Sequence, residues 1–249
     1  MRTNPHAIAR LTTLLALIIA LAPTALAQQI GFGTAFFVND HGDALTNAHV
    51  LRECDPDAVF VRARDGEWVP ARILAIDQDF DLASLATGIA TDAFAAVRIV
   101  FGTSTVSIPD PPEDIFTGGF DGTDDEAFDL QLRWGQVQEG LPPNEFPYLN
   151  VMRNASGPGS SGAPVLDYAG LLVGIILGGT TFPAVDLDGL SESGYGEKWV
   201  FIHNNNAIVQ YANRTGLRIN AWDRGQNLDP IAIARHLGNI TVQVGCIVR

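Results

Sequence analysis

The sequence predicts an all-β protein, built as barrels or a sandwich. Its apolar segments are short and many, rich in Val, Ile, Leu and Phe, and fenced by Gly, Pro, Asn or Asp. No internal repeat or heptad runs through them, and helical character appears only near the C-terminus. Many short strands at close spacing with turn residues between them are the signature of such folds.

Taken in chain order, residues 1–27 are read as a signal peptide rather than part of the fold. Arg2 and Arg10 make a positive n-region, the apolar run 11–22 is too short to span a bilayer, and Ala25-Leu26-Ala27 is a small-x-small cleavage site. The mature chain is expected to begin near Gln28, in the periplasm or outside the cell. Strands are then expected at 33–38, 44–46, 58–62, 68–76, 82–85, 115–117, 130–137, 149–152, 164–166, 171–177 and 199–202, with a hairpin turn at 39–43. The strongest later apolar run, 171–177, has strand length, so no membrane partner is expected after cleavage. Pro109-Asp110-Pro111-Pro112-Glu113-Asp114 divides the β-rich region and suits a connector. Two acidic, glycine-bearing stretches at 121–129 and 186–197 read as surface loops. Asp186-x-Asp188-Gly189 lacks the spacing and terminal Glu of a calcium loop, so no metal is assigned. Helices are expected at 204–213 and at 230–237, the second with Pro230 in its first turn.

The formal charge is −13, and loss of Arg2 and Arg10 with the signal takes it to −15. So acidic a chain is repelled by nucleic acid and by anionic membranes, while cationic polypeptides are steered toward it. Cys54 and Cys246 are the two cysteines, and no Cys-x-x-Cys or Cys/His cluster points to a metal. In an oxidising compartment a disulfide between them is the expectation, with two buried thiols as the alternative.

Three residues carry chemistry. Ser161 lies in Gly159-Ser160-Ser161-Gly162-Ala163-Pro164, His49 in Leu45-Thr46-Asn47-Ala48-His49-Val50, and Asp81 opens Asp81-Leu82-Ala83. A serine hydroxyl is a weak nucleophile and needs a base within hydrogen-bond reach, here His49; that base needs a carboxylate, here Asp81, to fix its tautomer. The backbone N–H groups of Gly159 and Ser161 would stabilise an oxyanion, and glycines at 159 and 162 would allow the unusual dihedrals of such a turn. Each signal alone is weak, a Gly-x-Ser-Gly being a common loop. Their joint occurrence in the order His, Asp, Ser is the chymotrypsin-type order, distinct from the subtilisin and α/β-hydrolase orders. No cofactor is needed for this chemistry.

These motifs resemble those of the chymotrypsin-like (PA clan) serine peptidases, and among them the bacterial trypsin-like domains of the Deg/HtrA type. Residues 31–38 are similar to their opening Gly-x-Gly-Ser/Thr-Gly-Phe strand, and 45–50 to their Leu-Thr-Asn-x-His-Val. Asp81-Leu82-Ala83 resembles their Asp-Leu-Ala, and 159–164 their Gly-Asn-Ser-Gly-Gly-Pro, with Val165-Leu166-Asp167 and Gly174-Ile175 following. The resemblance, running from about 31 to 213, implies two antiparallel six-stranded β-barrels with the site between them. It implies a first barrel at about 28–108, a second at about 113–215, and a C-terminal extension, 216–249, packing on the barrels. It further implies a serine endopeptidase acting on polypeptides, with a catalytically inactive binding scaffold or an esterase as the alternatives.

Ala163 replaces a glycine of the pattern, and Ser160 stands where trypsin-like enzymes carry the aspartate of their zymogen switch. No PDZ-like segment is read after the barrels. By resemblance, Ala155 lies at the floor of the primary specificity pocket, and Leu177-Gly178-Gly179 is the wall strand pairing with substrate backbone. An uncharged floor argues against Arg or Lys, and the absence of histidine at 175–180 argues against Glu, leaving small or medium apolar side chains. Cys54 lies where secreted relatives place a disulfide, so a Cys54–Cys246 bond is expected to tether the C-terminal helix to the back of the first barrel.

Overall fold

The computed structural model describes residues 30–62, 66–100, 102–103, 105–120, 129–139, 145–179, 198–223 and 225–249. Two six-stranded antiparallel barrels make up the fold. The first is closed by β1 (Ile30–Phe37), β2 (Asp43–Asn47), β3 (Cys54–Arg62), β4 (Trp68–Asp77), β5 (Leu82–Ala86) and β14 (Thr241–Val248), in the order β1-β14-β3-β4-β5-β2. The second runs β10-β7-β8-β9-β12-β11 through β7 (Glu113–Phe120), β8 (Leu130–Gln138), β9 (Leu149–Asn154), β10 (Pro164–Leu166), β11 (Leu172–Gly179) and β12 (Lys198–Asn204), and closes where β10 pairs with β11. Two three-residue strands, β6 (Ala96–Arg98) and β13 (Asn220–Trp222), extend this second sheet in parallel from β11.

Period-two alternation decides which side chains fill which space. Ala35, Phe37, Val59, Val61, Leu85, Val242 and Val244 fill the first barrel, and Ile115, Val137, Met152, Val165, Ile176 and Ile202 fill the second. Phe36, one residue from Phe37, points the other way, into the cluster between barrels with Leu45, Leu82, Leu166, Leu172 and Ile175. The two helices cover that cluster. Helix α1 (Asn205–Thr215), N-capped by Asn204, contributes Ile208 and Tyr211; α2 (Pro230–Ile240), N-capped by Asp229 with Pro230 in its first turn, contributes Ile233 and Leu237. The 39–43 turn forms as expected, with Asn39 Oδ1 accepting the N–H groups of His41 and Asp43.

The C-terminal segment corrects the sequence reading. It does not merely pack on the barrels: Thr-Val-Gln-Val-Gly-Cys-Ile-Val at 241–248 is inserted between β1 and β3 as a stave of the first barrel. Its alternation explains this, because Val242, Val244 and Cys246 are buried in the barrel lumen. The disulfide is present between Cys54 and Cys246, Cα atoms 5.5 Å apart, and it staples β14 to the start of β3 rather than tethering a helix. The expected acidic loops at 121–129 and 186–197 lie outside the described residues, apart from Asp129. Among the described residues no helix is long and apolar enough to cross a membrane.

Candidate active site

Two neighbouring strand ends bring His49 and Asp81 together. β2 pairs with β5 so that Asn47 faces Leu82, which sets the 3₁₀ turn carrying His49 (Ala48–Leu51) against the residue preceding β5. Asp81 adopts φ 48°, a conformation that aspartate tolerates better than most residues. Its carbonyl accepts from the Ala48 N–H at 2.9 Å and from Asn47 Nδ2 at 3.1 Å. Its carboxylate uses both oxygens on one residue: Oδ1 accepts the His49 backbone N–H at 2.8 Å, and Oδ2 meets His49 Nδ1 at 2.5 Å. A carboxylate only accepts, so Nδ1 carries the proton and Nε2 is left as the basic nitrogen. The approach to Asp81 is pinned from α1, where Arg214 reaches Asp77 at 3.1 Å and Asp79 at 3.0 Å, with its guanidinium 5.2 Å over the Phe80 ring.

Ser161 stands on a turn that the first barrel grips. Thr34 of β1 donates its N–H to the Ser161 carbonyl at 3.0 Å and its hydroxyl to the Gly159 carbonyl at 2.8 Å. With both carbonyls held from that side, the amides of Gly159 and Ser161 donate to no backbone carbonyl among the described residues. Gly159 and Gly162 have φ of 93° and 87°. At 162 glycine is also required by space, since a Cβ there would lie 2.0 Å from the Thr34 carbonyl oxygen. The Ser161 hydroxyl donates to the Leu177 carbonyl at 3.4 Å rather than to His49.

His49, Gly159 and Ser161 line one cleft of about 370 Å³, together with Gly31, Phe32 and the disulfide. Leu177 is the residue bulged out of the β11–β12 register, between Ile176 facing Ile202 and Gly178 facing Phe201. This aims its carbonyl toward Ser161. Leu177, Gly178 and Gly179 thus form the end of β11, while Ala155 is exposed just beyond β9; none of the four belongs to the lining of the His49–Ser161 cleft. Three contributors escape sequence reasoning. Thr34 and Arg214 act through contacts 125 to 135 residues distant in the chain. His203 of β12 is buried, beside the Tyr148 backbone and within reach of the Asp81 and His49 charges. Burial pushes its pKa down to about 4, against the opposing pull of the Asp81 charge nearby.

The profile of the trypsin-like peptidase domain matches residues 33–175. The chain belongs to that family. It is 27% identical over 217 residues to the uncharacterized protein y4bJ of Sinorhizobium fredii, covering 86% of this chain and 32% of that one. It is 24% identical over 152 residues to the putative serine protease HhoB of Synechocystis, covering 59% of this chain and 34% of that one. The chain therefore spans about a third of the length of these curated relatives. Among solved structures, the active form of the Rv3671c protease from M. tuberculosis superposes with a TM-score of 0.54 at 18% identity over 76% of each chain. The HtrA-type protease AlgW with a decapeptide gives 0.52 at 20% identity, over 74% of this chain and 51% of that one. The serine endoprotease from Yersinia pestis gives 0.52 at 18% identity, over 78% and 60%. These likenesses establish the fold.

Proposed function

We propose that the protein is an exported serine endopeptidase using Ser161, His49 and Asp81. The observation that carries this reading is the His49 Nδ1–Asp81 Oδ2 bond at 2.5 Å, which leaves the basic Nε2 to the cleft that Ser161 lines. Rotation of the Ser161 hydroxyl from the Leu177 carbonyl to Nε2 precedes the reaction; such contacts tighten when substrate is bound. Oγ then attacks the scissile carbonyl carbon as Nε2 takes its proton, and the N–H groups of Gly159 and Ser161 hold the resulting oxyanion. The imidazolium, steadied by Asp81, gives its proton to the leaving amine as the C–N bond breaks. Water then hydrolyses the acyl-enzyme by the same relay in reverse order.

Substrate backbone upstream of the scissile bond pairs with Leu177-Gly178-Gly179 by β-augmentation. The side chain preceding that bond enters a pocket floored by Ala155, which favours small or medium apolar residues. Signal cleavage after Ala27 delivers the enzyme to the periplasm or beyond. The resting Ser161–Leu177 hydrogen bond is what an inactive binding scaffold would keep, so the test must report on the nucleophile itself. A fluorophosphonate probe should label the wild-type protein and not Ser161→Ala, and a peptide-library digest should give internal cleavages. Absence of labelling would favour the scaffold, and labelling without peptide cleavage an esterase.

A further inference from the structure

An apolar groove of about 380 Å³ crosses the outer face of the first barrel, lined by Ile30 and Phe32 of β1, Phe60 of β3, Trp68 of β4, and Gly245 and Ile247 of β14. Gly245 is its floor: a Cβ there would lie 2.9 Å from the Trp68 ring and 3.4 Å from Phe32, so glycine lets both aromatic rings settle on the strand. The two rings lie 6.1 Å apart, tilted by 37°. Ile30 remains 55% and Trp68 41% exposed, so the groove is open and can take up an apolar group.

The groove adjoins the candidate active-site cleft, Phe32 and Cys246 lying in the walls of both. It leaves Ser161 on the side away from β11: the cleft between them is walled by Gly31, Phe32, Cys54 and Cys246 of the first barrel and by none of Leu177, Gly178 and Gly179. We propose that it receives an aromatic or large aliphatic side chain of the polypeptide substrate, carried downstream of the scissile bond. The proposal rests on the peptidase reading. With upstream residues on β11, an extended chain passing Ser161 must continue across the first barrel, where alternate side chains face β1 and β14. Among the described residues no charged side chain lines the groove, so its selectivity is for apolar bulk.

The test uses the wild-type protein, Trp68→Ser and Ile30→Ser with three substrates. Two are internally quenched peptides, identical upstream of the bond, with either Phe and Leu or only Ser at the downstream positions. The third is a peptidyl p-nitroanilide with no downstream residues, whose unchanged hydrolysis reports that a variant is folded and competent. The wild type should prefer the apolar peptide by about tenfold in kcat/KM, the order expected for burying one large apolar side chain. Each substitution should collapse that ratio toward one while leaving nitroanilide hydrolysis unchanged. A wild type indifferent to downstream residues, or variants that keep the preference, would overturn the inference while sparing the peptidase reading. Failure on all three substrates would remove both. A wild-type dimer in sedimentation that Trp68→Ser dissociates, with the ratio unmoved, would make the groove a subunit interface and also overturn it.

Discussion

Replacing Asp81 by Asn separates its chemical role from its structural one. Asn tolerates positive φ as Asp does, so the backbone at φ 48° survives the change. What the amide cannot do is accept twice. Oδ1 of Asp81 accepts the His49 backbone N–H and Oδ2 accepts from Nδ1, so either amide orientation places an NH₂ against one of these two donors. If the amide nitrogen faces the ring, the imidazole is driven to the tautomer protonated on Nε2, which cannot take the Ser161 proton. If it faces the backbone, a buried donor pair is left unsatisfied, costing about 1–3 kcal/mol. Either way the imidazolium formed during attack loses a charged partner, worth about 1.5–3 kcal/mol. Together these raise the barrier by about 3–6 kcal/mol, or roughly 10²–10⁴ in kcat, and chymotrypsin-type triads fall at the upper end of that span. Stopped or long-time hydrolysis assays give kcat, and a thermal melt checks the fold, which should hold within about 4 °C. A variant retaining kcat within tenfold of wild type would refute the assignment of Asp81. So would a loss confined to Asp77→Asn or Asp79→Asn.

Further outcomes follow from the same geometry. Ser161→Ala and His49→Ala should each abolish nearly all hydrolysis, and the double variant should be little worse than either because the members act as a unit; substantial turnover by Ser161→Ala would end the assignment. Removing the disulfide by Cys54→Ala with Cys246→Ala frees a loop of 192 residues. By chain entropy this costs up to about 5 kcal/mol, and an unmoved urea midpoint would contradict it. His203 has its pKa lowered to about 4 in the folded state, so the unfolded chain binds its proton first on acidification. Its contribution is therefore intact above about pH 6.5 and lost as pH falls toward 4, by about 3 kcal/mol in all. His203→Leu should flatten the stability profile across that window; parallel profiles for the two proteins would refute this.

Much of the molecule is legible in its sequence where local pattern and local chemistry agree. The Asn39 turn, the helix start at Pro230 and the strand at 164–166 each carry their own signals, and the structure places them where those signals lie. Contacts between distant segments are another matter. Strands β6 and β13 have three residues each and exist only because parallel partners accept them. The alternation at 241–248 is plain, yet nothing local says that it will be inserted between β1 and β3. The site divides the same way. His49, Asp81 and Ser161 sit in recognisable motifs, whereas the grip of Thr34 on the serine turn and the burial of His203 are set by strand register. The direction of the Ser161 hydroxyl depends on a bulge at Leu177 that no residue in the sequence announces.

The position of β14 also bears on when, during synthesis, the molecule becomes what it is. The ribosome finishes every strand of the second barrel, with the Ser161 turn, while residues 241–248 are still unmade. Until they arrive, β1 and β3 face a gap, and the barrel bearing His49 and Asp81 has two unpaired edges. A nascent chain therefore carries Ser161 long before the barrel that bears His49 and Asp81 can close. A chain cut short before residue 241 keeps the Ser161 turn and loses the closure of the first barrel.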